Sequence, residues 1–332
     1  MIDRKESKIG IILLGILIGG SLISCFSINF TEIRKRDREA DKHYVALICK
    51  STESSFFKAV FAGANAASTE YNLVVSYEGP ANEEDEKTQN EMIRQAVENN
   101  AEVIVLSAVD YNANVAAVEE AAQKGTKIII IDSDVNSQVV ACHIGTDNYK
   151  AGEMAAEAIV SSKEEILNIG IINFDKNSAN GSQREQGFRD KLLEYESAHI
   201  VETVYVNSNI EDAKLGTKAL LEAHPEINAV VTFNEWTSLG VGYAILELGL
   251  KDEVAVVAFD NHVVLVGMLE SGEIDALIVQ NPYAMGYLGV EYAYKYLYGL
   301  SVGKEKIDTE TLLVTKKNMY DEACQRILFP FN

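Results

Sequence analysis

Short apolar runs that stop abruptly at polar residues, each followed by a stretch of helical period, recur along most of this chain. The clearest case is 254–282. There a Val-rich run ends at Asp260-Asn261, a short amphipathic segment follows, and a second apolar run, 274–279, ends at Gln280-Asn281-Pro282. Near-continuous apolar strands alternating with amphipathic helices are the pattern of parallel sheets covered by helices on both faces. In such sheets ligands bind beyond the carboxyl ends of the strands. Asp260 and Gln280 are therefore read as floor residues of one ligand site, and the other strand tips as candidates for its walls.

The same reading places strands over 44–49, 73–76, 103–107 and 128–131, the last ending at Asp132-Ser133-Asp134, with helices opening at Phe56-Phe57 and spanning 83–98. Past His143 a strand ends, Gly145-Thr146 reads as a hinge, and a helix is capped near Asp147 or Asn148. The pattern then restarts, with strands 166–174, 200–206 and 229–233, the last ending at Asn234-Glu235-Trp236, and helices 181–195 and 211–223. A helix over 282–298 shows Tyr283, Tyr287, Val290, Tyr294 and Leu297 on one face, a packing surface against a sheet. Two similar halves joined by hinges imply a cleft. Each polar tip alone is explained by a cap or a turn; their convergence on one edge carries the functional reading.

Composition narrows the classes. At 332 residues the chain has room for about two domains, and 47% hydrophobic residues suffice for a full core. A formal charge of −21 disfavours nucleic acid as a partner. The turn at 50–55 holds no glycine, so neither a dinucleotide fingerprint nor a P-loop fits there. The four cysteines, Cys25, Cys49, Cys142 and Cys324, have no CxxC spacing, and none of the five histidines sits in a catalytic motif. His262, close to Asp260, is the one histidine worth testing as an acid or base. An enzyme, a bound metal and a cofactor are not expected.

The N-terminus speaks for export. Arg4, Lys5 and Lys8 precede the apolar stretch 9–23, the layout of a secretory signal. Leu22-Ile23-Ser24-Cys25 resembles a bacterial lipoprotein box, which implies lipid on Cys25. An uncleaved anchor over 1–30 is the alternative, since Phe26, Ile28 and Phe30 prolong the apolar run to about a bilayer's span. Arg34, Lys35, Arg36, Arg38 and Lys42 oppose the positive-inside rule for either form. Residues 31–42 read as a charged tether and the folded body starts at His43. The expected location is the outer face of the cytoplasmic membrane.

From about Tyr44 to Thr315 the chain resembles the type 1 periplasmic binding proteins of sugar transporters, with the ribose-type pattern the nearest. VALICKSTESSFF, HIGTDNYKAGEMAAEAI, REQGF (184–188), HPEINAVVTFNEWTSLG, and VAVVAFDN followed by IVQNP match in order and spacing. The resemblance implies an α/β fold of two Rossmann-like lobes, each a parallel sheet flanked by helices, joined by three hinge crossings near Thr146, Gln280 and Thr309. One lobe would comprise 43–146 and 281–309, the other 147–280 and 310–332. It further implies capture of a sugar or polyol in the cleft and delivery to an ABC importer by a monomeric receptor. A membrane-tethered domain signalling to a histidine kinase or chemoreceptor is the alternative. A lactose-repressor-type relative of the same fold is set aside, because the chain opens on an export segment rather than a helix-turn-helix.

The ligand contacts implied by the resemblance are Phe56 and Phe57 on the sugar ring, Asp132 as an acidic acceptor, and Asn234, Asp260 and Gln280 as polar contacts. Departures accompany them. Ser133 and Ser182 stand where ribose-type members carry arginines, Ser54 and Ser107 where they carry asparagines, and Ser208 replaces a wall aromatic. Lys50, Glu53, Asp110, Asp134 and Trp236 are placed to refill the space. The pocket is expected to be poor in positive charge, with Lys50 its counter-charge, and to take a neutral or amine-bearing sugar or polyol rather than an acid.

Overall fold

The computed structural model describes residues 42–162, 166–301 and 306–329. The expectations for the export segment, Cys25 and the tether up to residue 41 lie outside the described residues. Among the described residues no helix is long and apolar enough to cross a membrane.

Strands β1 (Tyr44–Ile48), β2 (Val74–Glu78), β3 (Val103–Leu106), β4 (Lys127–Ile131), β5 (Val140–Gly145) and β11 (Lys306–Asp308) form one parallel sheet in the order β11-β5-β4-β3-β1-β2. Strands β6 (Leu167–Asn173), β7 (Ala198–Tyr205), β8 (Ala229–Thr232), β9 (Ala255–Phe259), β10 (Ala276–Val279) and β12 (Leu312–Thr315) form the second, in the order β12-β10-β9-β8-β6-β7, with only β12 antiparallel to its neighbour. Each sheet is the floor of one lobe, and the two orders are the same pattern written twice. Central strands are buried on both faces: every residue from Val45 to Ile48 and from Val103 to Leu106 is fully inaccessible. Runs without alternation are what a sheet covered on both sides demands.

Helices α1 (Ser55–Glu70), α2 (Glu86–Glu98) and α3 (Val115–Gln123) belong to the first lobe; α5 (Ala179–Leu192), α6 (Ile210–Ala223), α7 (Glu235–Leu248), α8 (Val263–Ser271) and the terminal α10 (Glu322–Leu328) belong to the second. The chain passes between the sheets after β5, after β10 and after β11. Each of the first two passages delivers a helix to the opposite lobe: α4 (Asn148–Ser162) packs on α5, and α9 (Pro282–Leu297) on α1. Glycines make both contacts close. A methyl group on Gly152 would sit 2.0 Å from the Arg184 carbonyl oxygen, and one on Gly286 1.8 Å from that of Val60. Only a residue without Cβ lets the backbones approach so far.

Two differences from the sequence reading bear on the site. Helix α2 starts at Glu86 rather than at residue 83, because the Asp85 carboxylate accepts from Thr88 N at 3.0 Å and caps the helix there. Glu83 and Glu84 are thereby left in the loop. The strands β11 and β12 and the helix α3 were not anticipated; β11 and β12 are short edge strands whose place is set by pairing with β5 and β10.

Candidate functional site

The carboxyl ends of both sheets face each other across a narrow cavity. Lys50, Ser54, Phe56, Phe57, Glu83 and Asp132 line it from the first lobe, Phe174, Asn180, Arg184, Asn234, Glu235 and Asp260 from the second, and Gln280 from the passage between them. The residues implied by the resemblance, Phe56, Phe57, Asp132, Asn234, Asp260 and Gln280, thus line one cavity.

Backbone geometry aims the two aspartates. Asp132 follows β4 with φ of 53°, and Asp260 follows β9, the corresponding strand of the second lobe, with φ of 74°. This left-handed region is tolerated by aspartate better than by most residues. Phe56 and Phe57 open α1 behind the N-cap Ser54, whose hydroxyl accepts from Phe57 N at 3.2 Å. Their rings meet edge to face at 5.2 Å, and Phe174 from the second lobe carries Lys50 Nζ over its face at 5.0 Å.

Polar side chains form a chain of contacts across the base. Gln280 Oε1 accepts from Thr146 Oγ1 at 2.9 Å and from Arg184 Nη2 at 2.7 Å, and Gln280 Nε2 donates to Asp260 Oδ1 at 2.7 Å. Arg184 also donates to Asn148 Oδ1 at 2.9 Å and to the Phe233 carbonyl at 2.6 Å. Asp132 accepts from Ser107 Oγ at 2.9 Å and from Asn180 Nδ2 of the opposite lobe at 3.1 Å.

Other contacts hold the lobes together directly. The Glu235 carboxylate, at the start of α7, accepts from Ser55 N and Phe56 N, each at 2.9 Å, and so caps the first turn of α1 in the other lobe. Lys50 Nζ donates to Ser178 Oγ at 2.9 Å and lies 3.7 Å from Glu83. Ser208 donates its backbone N–H to Glu84 and its hydroxyl to Glu83 Oε2, the latter at 3.0 Å, and accepts from Asn234 Nδ2 at 2.6 Å.

Burial dominates the electrostatics. It pushes the Glu235 carboxyl up to about 8, aided by the Asp260 charge and opposed by the two α1 amides. Asp260 is pushed up to about 6 by burial, with Arg184 and the Gln280 hydrogen bond pulling down and Asp132 and Glu83 pushing up. Glu83 is raised by burial against the pull of Lys50.

The remaining sequence candidates are placed as follows. Lys50 lines the cavity. Ser107 stands behind Asp132 as its hydrogen-bond donor. Ser133 is fully buried, with no partner for its hydroxyl among the described residues. Asp110 closes a turn, accepting from Asn112 N and Ala113 N. Ser182 is exposed and lines a separate hollow with Tyr111 and Lys176. Trp236 packs against the apolar core of the second lobe. Glu53 is exposed, and Asp134 caps Val135 N. Glu83, Phe174, Asn180, Arg184 and Glu235 line the cavity without having been singled out. The expected shortage of positive charge needs correction, because Arg184 stands in the wall beside Lys50. Two residues along a helix lie about 200° apart, so Ser182 looks outward where Arg184 looks in. Among the described residues no cluster of metal-ligating groups is present.

Residues 45–301 match the model of the periplasmic binding protein domain family. A D-apiose import binding protein of Actinobacillus succinogenes is 30% identical over 272 residues, covering 80% of this chain and 86% of that protein. A D-ribose/D-allose-binding protein of Pseudomonas aeruginosa is 27% identical over 286 residues, covering 83% and 89%. A carbohydrate transporter solute-binding protein from Agrobacterium radiobacter, solved with D-arabinose, superposes with a TM-score of 0.84 at 32% identity, over 87% of this chain and 99% of that one.

Proposed function

The chain belongs to the periplasmic binding protein domain family, and from that premise we propose that it captures a sugar or polyol in its interlobe cleft and delivers it to an ABC importer. The observation that carries this reading is the meeting of Phe56 and Phe57 with Asp132, Asn234, Asp260 and Gln280 around one buried cavity. Aromatic faces cover the C–H surface of a sugar, carboxylates accept from its hydroxyls, and amides do both. The relatives named for apiose and for ribose and allose, and the neighbour solved with D-arabinose, support the ligand class.

In this reading Thr146, Gln280 and Thr309 lie at the hinge, and the lobes are 43–146 with 281–309, and 147–280 with 310–332. Ligand entering the open form favours the closed one by as much as it binds that form better. No covalent step is needed. The body acts outside the cytoplasmic membrane as a monomer, held there by lipid on Cys25 or by an uncleaved segment over 1–30, and the closed lobes present a joint surface to the permease.

A thermal-shift screen of the full-length chain in detergent against pentoses, hexoses and inositols tests the reading. At a hundredfold excess over Kd a ligand stabilises by about 2.7 kcal/mol. A shift with one sugar is the expected result; no shift with any of them would count against a sugar receptor.

A further inference from the structure

We infer that the solute taken by this cleft carries one positive charge, as an amino sugar or aminopolyol does, in preference to its neutral parent. The inference rests on the sugar-receptor reading and refines its ligand. The charged groups facing the cavity are Lys50, Glu83, Asp132, Arg184, Glu235 and Asp260. All are nine-tenths or more buried, from 1% exposed for Arg184 to 8% for Glu83. Carboxylates therefore outnumber cations, and the distribution of contacts sharpens the imbalance.

Lys50 is committed to Glu83 and to Ser178. Arg184 spends its guanidinium on Asn148, the Phe233 carbonyl and Gln280, all neutral acceptors. Among the described residues neither Asp132, Asp260 nor Glu235 has a cation within ion-pair distance. Their partners are Ser107, Asn180, Gln280 and the two α1 amides, all neutral. Asp260 is pulled down by the Arg184 charge and pushed up by Asp132 and Glu83, and Asp260 in turn pushes up Glu235, so these carboxylates share one distant guanidinium and feel one another through a buried interior. Burying like charges together is costly unless a counter-charge or a proton joins them. An ammonium held among sugar hydroxyls supplies the counter-charge. A sugar acid or phosphate would add to the excess.

The test uses matched trios of ligands, a neutral pentose or hexose, its amino-deoxy derivative and the N-acetyl form of that derivative, titrated calorimetrically into the full-length chain in detergent at neutral pH. The amino member is expected to bind about tenfold or more tighter than its neutral parent, roughly what one well-placed buried charge pair contributes. N-acetylation, which removes the charge, should abolish the gain. In Glu235→Gln and Asp260→Asn the ratio of the two affinities should fall toward one, whatever happens to each affinity. Titration in buffers of different ionisation enthalpy supplies a second readout: the amine should release protons as its charge replaces the one that Glu235 holds, and the neutral parent should not. A neutral parent that binds as well as its amine, with the ratio unmoved in Glu235→Gln, would overturn the inference and leave the sugar-receptor reading standing. A panel in which no member binds would sink both.

Discussion

Asp132 and Asp260 occupy the same place in their two lobes, and both pay in backbone conformation for aiming a carboxylate into the cleft. An L-residue other than Gly, Asn or Asp at such a φ costs roughly 1 kcal/mol or more. Asp260→Asn should therefore be more stable than Asp260→Ala by about 1 kcal/mol in chemical denaturation, since both lack the charge and only the asparagine suits the backbone. Equal stabilities would mean that the φ carries no strain. Arg184 is a positioning residue of a different kind. Replaced by Met, it leaves Gln280, Asn148 and the Phe233 carbonyl short of donors, and unfolding should become easier by about 2–4 kcal/mol. These tips were legible because an apolar run stopping at Asp or Gln marks a strand end. Glu235 was not, because Asn234, Glu235 and Trp236 all follow β8 and only the phase of the first turn of α7 decides which faces the cleft. It turns Glu235 toward α1 and Trp236 into the core.

Among the elements, the two helices that change lobes are fixed by glycine contacts rather than by propensity. Gly152→Ala places a methyl against the Arg184 carbonyl at 2.0 Å, and overpacking of that severity should destabilise by about 2–3 kcal/mol or more. Gly267, in the exposed face of α8, has nothing within 4 Å. Gly267→Ala should instead stabilise by roughly 0.5–1 kcal/mol, the helix-propensity difference. The opposite signs, read from thermal or denaturant melts, separate close approach from mere helical glycine. The alternation of runs and amphipathic stretches revealed most of the strands and helices, since their burial on two faces is written in the residues themselves. It could not reveal β11 and β12, whose place is set by pairing with β5 and β10. Nor could it show that α2 begins late enough to free Glu83 and Glu84 for Ser208.

Over the whole molecule, closure of the lobes and protonation of the cleft are linked. Glu235 keeps its proton up to about 8 in the folded, closed chain, against 4.5 ordinarily, and Asp260 up to about 6, against 3.8. In the window between those values the folded chain binds more protons than the unfolded one. Stability from these groups is thus fully present below the unfolded values and is lost as pH rises through the folded ones. The empty protein should melt at a lower temperature at pH 8 than at pH 5, and Glu235→Gln should flatten the upper part of that decline; a parallel slope in the variant would remove Glu235 from the effect. The restart of the strand and helix pattern after His143 and the polar tips on one edge made two halves and a cleft legible from residues, and the family resemblance supplied the receptor. The cross-lobe partners stayed hidden, because Glu235 on Ser55 and Asp132 on Asn180 join segments far apart in sequence that only lobe closure brings together.

The most direct test of the cleft as a solute site is a calorimetric titration of the best ligand from the sugar screen into the full-length chain and into Asp260→Ala and Gln280→Ala. Both side chains are buried at the base of the cavity and hydrogen-bonded to each other, so removing either leaves polar groups unpaired. Each variant should stay folded and lose about tenfold to several-hundredfold in affinity, or roughly 1.4–3.5 kcal/mol. Two variants that bind the sugar as tightly as the parent chain would contradict the assignment of this cleft as the place where the solute is held.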